Sequence, residues 1–504
     1  MRGPNVLFVV LDTARAATVF GDDAAEVAPR LTEFAESGVR FTNATANGPW
    51  TLPSHAAMFT GQRTSDHGAH AGTKQFSAGD RSLPARLGRM GYRTAAFSNN
   101  PWISPSFGFD GFDHFSPCWK LFSKGADLAS IAKTEDRSEQ VRELAGELLS
   151  PTGPQTLVNS LYMQFFRETY DSGARRTVRR MKRWFRSRDG DDDRPFFAFA
   201  NFMEPHLAYD PPERFQREFL TDGQIARAET VNQDAWAHIT GADERTAEEF
   251  EILHGLYKAE LRYLDQRLGD LLDFLAESGE LDDTAVVLVG DHGENIGDHG
   301  LMDHQYCLYD TLVHVPLVVR PPGDAGDRLR GATCEEPVEL RDLYPTILSL
   351  AGGDPADLDA LDSGGPDLDS ATSRNVLVSD EADESLCSDR EYAVSEYLHP
   401  QPEIGDVRDR YDEVPRDIST FDRALRAVRT PDWKYVEASD GTEELYDLRE
   451  DPAETRNLVG ERPAVADRLR ERATDDLGPL EYRSGDETDI EEGTKRQLEE
   501  LGYL

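Results

Sequence analysis

Three residues with a shared chemistry follow apolar runs: Asp12 comes directly after residues 5–11, and Asp291 with His292 comes just after residues 284–289. Carboxylate oxygen and imidazole nitrogen are hard or borderline ligands. The set therefore suits a divalent cation, Mn²⁺ or Zn²⁺ better than Ca²⁺, with Mg²⁺ and Ca²⁺ also open. A single Asp at a strand end is more often a helix N-cap. Three ligating residues at two strand ends, two of them adjacent within Gly290-Asp291-His292-Gly293-Glu294, favour the metal. A second segment, Pro49-Trp50-Thr51-Leu52-Pro53-Ser54-His55-Ala56, leads into a helix expected to end near Gly61. Thr51 then lies at or just before a helix N-terminus, where unpaired backbone N–H groups attract an anionic ester.

The elements that must position these groups are strands and helices in alternation. Residues 5–11, 93–97, 195–202, 284–289 and 316–319 are continuous apolar runs of the kind that strands buried on both faces of a parallel sheet require. The first four lead into polar groups: Asp12, then Asn99 and Asn100, then Glu204 and His206, then Asp291 and His292. Ligands of open α/β sheets bind beyond the carboxyl ends of strands, so four such ends define one candidate crevice. Helices are predicted over 29–37, with Gly38 as its C′ residue, over 250–277, where Leu residues recur at three- and four-residue steps, and over 338–350.

The ordered motifs resemble those of sulfatases in the alkaline phosphatase superfamily. They are Asp12-Thr13, Thr51-Leu52-Pro53-Ser54-His55 leading to Phe59-Thr60-Gly61, Met203-Glu204-Pro205-His206, Gly290-Asp291-His292-Gly293-Glu294 and the stretch 309–319. Arg429-Thr430-Pro431-Asp432-Trp433-Lys434 and Glu444-Leu445-Tyr446-Asp447-Leu448 resemble that family's closing segment. The resemblance implies an alkaline phosphatase-like α/β/α sandwich with a mostly parallel central sheet and a small C-terminal α+β subdomain. It implies a catalytic domain over 1–385, with a variable insertion at 118–194, and a subdomain with a helical tail over 386–504.

One position departs from the family. Sulfatases carry CxPSR or SxPSR, whose first residue becomes formylglycine; here Thr51 stands at that position and His55 at the arginine. Oxidation of threonine would give a ketone, so no formylglycine is expected. A threonine hydroxyl can still attack when a metal lowers its pKa, as in threonine-dependent phosphoesterases and phosphotransferases of the superfamily. The resemblance thus implies one divalent ion held by Asp12, Thr51, Asp291 and His292, with Thr51 as nucleophile. His206 and His304 would hold a nonbridging oxygen or protonate the leaving group, and Arg15, His55, Asn99 and Asn100 would line the anion pocket. The implied activity is hydrolysis of sulfuric or phosphoric esters. Transfer of a phospho-group to a glycan or lipid acceptor and a non-catalytic binding role are the alternatives. The substrate is expected to be a small anionic ester or a sulfated or phosphorylated glycan or lipid.

Composition narrows the remaining classes. The 95 Asp and Glu against 54 Lys and Arg leave a net charge of −41, which repels phosphate backbones, so a nucleic-acid binder is not expected. No apolar run approaches the roughly 18–20 residues that span a bilayer, and the opening residues do not read as a signal peptide, so the chain is read as cytoplasmic. The four cysteines, Cys118, Cys307, Cys334 and Cys387, make no CxxC pair and read as ordinary thiols. Residues 175–188 carry seven Arg and one Lys interleaved with Val178, Met181, Trp184 and Phe185. They form either a helix with a solvated charged face or a surface for an anionic partner or membrane. The Asp-rich stretch 353–388 reads as a linker, and the oligomeric state is open.

Acidity spread along the whole chain resembles proteins of salt-loving microorganisms, where salt screens carboxylate repulsion. Thermal melts in a KCl series are expected to show a midpoint that rises into the molar range; a flat or falling midpoint contradicts the reading.

Overall fold

Strand β1 (Asn5–Leu11) is buried along its whole length because it has a parallel neighbour on each side. The computed structural model describes residues 3–118, 173–188, 192–353, 374–377, 390–411 and 413–483. Most of the predicted insertion and of the predicted linker lies outside these residues.

In chain order the elements that matter are α1 (Pro29–Ala35), β2 (Val39–Phe41), α2 (Thr51–Thr60), β3 (Arg93–Ser98), β4 (His114–Pro117), α3 (Ala174–Arg186) and β5 (Phe196–Phe202). There follow α4 (Ala247–Glu277), β6 (Thr284–Gly290), β7 (Leu317–Arg320), β8 (Ala332–Cys334) and α5 (Leu343–Leu350). The last group is β9 (Ala393–Tyr397), β10 (Leu425–Arg429), β11 (Trp433–Ala438), β12 (Glu443–Asp447) and α6 (Pro463–Leu477).

An eight-stranded sheet runs β8-β2-β7-β6-β1-β5-β3-β4. It is parallel except at β7, which is antiparallel to both β6 and β2. Residues 316–319 thus supply the antiparallel member of the mostly parallel sheet, since an apolar run buried on both faces reads the same in either direction. Helices flank the sheet, with α1 and α3 packed on α4 in one group and α2 packed with α5 in another. The fold is thus the α/β class with a mostly parallel central sheet.

Boundaries moved where side chains compete for backbone groups. Helix α4 begins at Ala247 rather than at 250, because Thr246 and Glu249 form a capping box: Thr246 N–H donates to Glu249 Oε2 at 2.8 Å. Residues 338–342 do not join the predicted helix. Val338 and Glu339 pair with Ala44 and Thr45 and a short 3₁₀ turn follows, so the helix starts at Leu343. Gly38 does not adopt the left-handed C′ conformation; a Cβ there would lie 2.6 Å from the Val319 carbonyl oxygen, so close strand approach is what requires glycine. Gly61 does close α2 as expected, at φ +72.

Beyond the main sheet, β9 to β12 form a four-stranded antiparallel sheet. Its own small core comprises Val428, Tyr435 and Leu445 against Ala466, Leu469 and Ala473 of α6. Buried charge ties this sheet to the main body. Asp310 meets Arg429 Nη2 and Lys434 Nζ, each at 2.9 Å, and Arg390 reaches Glu339 at 2.8 Å. The reading of four ordinary thiols needs correction: Cys118 and Cys307 are free, whereas Cys334 is disulfide-bonded. Sequence spacing does not reveal such a pair, which depends on Cα atoms meeting in the fold.

Phe199 of β5 packs on Phe8 (centroids 5.6 Å), Phe59 (5.0 Å) and the His55 ring (6.0 Å), and so joins the sheet to α2. Phe199→Ala is expected to lower stability by about 3–5 kcal/mol, measured as a shift in the urea midpoint.

Candidate active site

Register brings the first two ligands together. Leu11 of β1 is opposite Gly290 of β6, so the next residue of each strand, Asp12 and Asp291, emerges side by side at the carboxyl end of the sheet. On the other flank Val10 is opposite Asn201 of β5, which brings an amide to the same carboxylate. Asp12 Oδ2 accepts from Asn100 Nδ2 at 2.8 Å and from Asn201 Nδ2 at 3.3 Å. Thr13 sits at φ +57, outside the usual range of a β-branched residue, and its N–H reaches Asp291 Oδ1 at 3.3 Å. The His292 N–H donates to the same oxygen at 2.9 Å.

The remaining oxygens have no such donors. Asp12 Oδ1 and Asp291 Oδ2 are fully buried and lack a hydrogen-bond partner among the described residues. His292 Nδ1 lies 2.9 Å from the Gly293 carbonyl, which can only accept, so Nδ1 carries the proton and the neutral ring turns an unprotonated Nε2 inward. That Nε2 lies 3.4 Å from Asp291 Oδ2 and 3.7 Å from Asp12 Oδ1. Burial pushes both carboxyls above their usual range and the imidazole well below its own. A divalent cation reverses the first two preferences and matches the third, because it ligates ionised carboxylate and neutral imidazole. Asp12, Asp291 and His292 could therefore hold a metal ion.

Thr51 is the first residue of α2 and is fully buried. Its Oγ1 lies 3.4 Å from His292 Nε2 and accepts from Asn100 Nδ2 at 3.0 Å. Ser54, one turn on, donates to the Asp291 carbonyl at 2.6 Å and pins the helix start to the end of β6.

A second group adjoins the first. The His304 ring lies 4.6 Å from that of His292 and 5.1 Å from that of His206, centroid to centroid. Its Nδ1 faces Glu294 Oε1 at 3.2 Å and also contacts Asp303 Oδ1. Burial alone would depress His304, but the two carboxylates win and hold it well above the usual histidine range. Glu294 Oε2 accepts from the Leu207 N–H at 3.1 Å and Asp303 Oδ2 from Gln305 Nε2 at 2.9 Å. Glu294, Asp303 and His304 could also hold an ion, yet their carboxylate oxygens already have donors, which distinguishes them from the first group.

The structure thus brings together Asp12, Thr51, Asp291, His292 and Asn100, with His304 and His206 beside them. It does not bring Arg15 into the group: that guanidinium is turned to Asp298 at 2.6 Å and lies over the Tyr257 ring. Asn99 faces α3 instead, its Oδ1 accepting from Thr177 Oγ1 at 3.3 Å. His55 is a core residue. Its Nδ1 meets the Thr51 carbonyl at 2.9 Å, its ring is wedged edge-on between Phe109 and Phe199, and burial depresses it to about 3. Asn201, Glu294 and Asp303 were not singled out from sequence. Asn201 had one available signal, as the single polar residue inside the run Phe196–Phe202.

The mostly parallel sheet with a polar cluster beyond its carboxyl ends is a fold shared with ester hydrolases of solved structure. The sulfatase family profile matches residues 4–353, and the chain belongs to that family. It is 25% identical over 472 residues to a choline-sulfatase of Rhizobium meliloti, covering 90% of this chain and 82% of that one. It is 24% identical over 488 residues to an arylsulfatase of Clostridium perfringens, covering 90% of each. A phosphonate monoester hydrolase from Silicibacter pomeroyi has the same fold, at a TM-score of 0.64 and 20% identity, with 95% of this chain and 96% of that one covered.

Asn100 donates to both Asp12 and Thr51. Asn100→Ala is expected to leave one buried acceptor short of a donor and to cost about 1–3 kcal/mol in thermal melts, whereas Asn99→Ala leaves Thr51 untouched.

Proposed function

We propose that the chain is a metal-dependent hydrolase of sulfuric or phosphoric monoesters in which unmodified Thr51 is the nucleophile. The observation that carries the reading is the position of Thr51 Oγ1, 3.4 Å from the His292 nitrogen that faces Asp12 and Asp291. Asp12, Asp291, His292 and Thr51 would hold a divalent ion, which when bound lowers the hydroxyl pKa and neutralises charge on the ester. Asn100 aims Oγ1 by donating to it. With Thr51 as its first residue, α2 puts the positive end of its backbone dipole beside the hydroxyl.

Attack by ionised Oγ1, whose proton has passed to solvent, forms an Oγ1–phosphorus or Oγ1–sulfur bond as the ester bond to the alcohol breaks. His304, kept protonated between Glu294 and Asp303, supplies the proton that the departing oxygen needs, from Nε2 on the ring edge opposite those carboxylates. Water then attacks the Thr51 ester. Formylglycine can release sulfate by elimination, whereas a threonine ester requires this second attack, which favours phosphoryl substrates. The sulfatase relatives favour the sulfuric ester, and a panel containing both decides between them.

Thr51→Ala is expected to lower turnover of a 4-nitrophenyl ester by about 10³-fold or more, with Thr51→Ser retaining much of it. Equal turnover by the parent and by Thr51→Ala would make water the attacking group. His304→Gln is expected to cost about 10²–10⁴-fold with poor leaving groups and far less with 4-nitrophenolate.

A further inference from the structure

Helix α3 carries a ridge of positive charge that no carboxylate among the described residues pairs with. Arg179, Arg183 and Arg186 are exposed, follow one another at helical spacing, and have no ion pair among the described residues. Half-buried arginines elsewhere are paired, Arg30 with Asp273 at 2.6 Å, Arg262 with Glu218 at 3.0 Å and Arg267 with Asp270 at 3.0 Å, while exposed Arg328, Arg408 and Arg468, like the α3 ridge, have no ion pair among the described residues. In a chain of net charge −41, residues 174–188 hold seven arginines and one lysine with no acidic residue among them, a local departure from the rest of the sequence.

The ridge starts from the candidate active site. The first residue of α3 is anchored there, with the Ala174 N–H donating to Glu204 Oε1 at 2.9 Å, two residues before His206. Thr177 donates to Asn99, whose neighbour Asn100 contacts Thr51. From that anchor the helix runs 13 residues along the flank of the sheet, about 20 Å at 1.5 Å per residue, to where Trp184 and Phe185 pack on Phe196 at the start of β5, with Arg179 to Arg186 occupying about 10 Å of it. A small ester seated at Thr51 cannot reach that far.

We infer that Arg179, Arg183 and Arg186 form a binding track for an anionic glycan, a chain with repeated sulfate or phosphate groups of which one is presented to Thr51. The inference rests on the proposed ester hydrolysis for its direction and on the unpaired ridge for its chemistry. A lipid surface fits less well. The apolar side of α3, with Val178, Met181, Trp184 and Phe185, is already buried against the protein, so no amphipathic face is left to enter a bilayer. A nucleic acid would meet the repulsion of the remaining surface along most of its length.

The test uses the full chain with a divalent ion, heparin as the sulfated-glycan probe, and the exposed triple variant R179Q/R183Q/R186Q. Heparin is expected to bind the parent in a salt-dependent manner and to raise KM for a small 4-nitrophenyl ester. In the variant, heparin affinity is expected to fall about tenfold or more, and the slope of log affinity against log salt by about two. The variant should keep kcat/KM for the small ester within about twofold, since the three side chains lie on the surface. Equal heparin binding by parent and variant overturns the inference, as does single-stranded DNA or a phosphatidylserine vesicle binding the parent as tightly as heparin. If the parent turns over no ester at all, the proposed function fails, while the heparin binding arm still decides whether the ridge is a track.

Discussion

Two buried carboxylate oxygens with no hydrogen-bond donor among the described residues converge with one unprotonated imidazole nitrogen, whose hydrogen-bond neighbour is the Thr51 hydroxyl at 3.4 Å. Groups of this kind repel one another in a low-dielectric interior, and leaving them so would cost several kcal/mol. The sheet enforces the encounter. β1 and β6 are adjacent and in register, so Asp12 and Asp291 must leave the strand ends together. The contacts around them then point outward from that centre: Asn100 and Asn201 take the other oxygen of Asp12, and Thr13 with His292 takes the other oxygen of Asp291. Each carboxylate is thus oriented by one oxygen and left open on the other, which is the arrangement that a cation ligand needs.

The second group solves the opposite electrostatic problem. Its histidine is held as a cation because Glu294 and Asp303 both face Nδ1, and the remaining carboxylate oxygens are satisfied by Leu207 and Gln305. Neutral His292 and charged His304 therefore lie with their rings 4.6 Å apart in environments that push them in opposite directions. Groups separated in this way can divide ligation from proton supply.

What could be read without coordinates follows from how locally each feature is encoded. The buried strands and Asp12, Asp291 and His292 at their ends show in a one-dimensional pattern, because continuous apolar runs and the polar residues that stop them are neighbours in sequence. His55 is placed in the anion pocket by motif register and Arg15 as an anion-pocket candidate, yet the Arg15 guanidinium pairs with Asp298 and the His55 imidazole, framed by Phe109 and Phe199, becomes core. The direction of β7, the disulfide at Cys334 and the contact of Asn201 with Asp12 depend on which distant segments meet, and no local signal carries that information. Glu294 lay inside a recognised motif, but its role depends on His304, ten residues away, turning back toward it.

The central claim is that the convergence of Asp12, Asp291 and His292 is a cation site. The most direct measurement is calorimetric titration of Mn²⁺ and Zn²⁺ into chelator-treated protein, with thermal melts of the same samples, for the parent and for Asp291→Asn. The account predicts one ion bound per chain and a higher melting point in the parent. In Asp291→Asn it predicts that both are lost, while the metal-free protein is no less stable than the parent because one buried charge has been removed. A parent that binds no ion and melts at the same temperature with and without metal would contradict it.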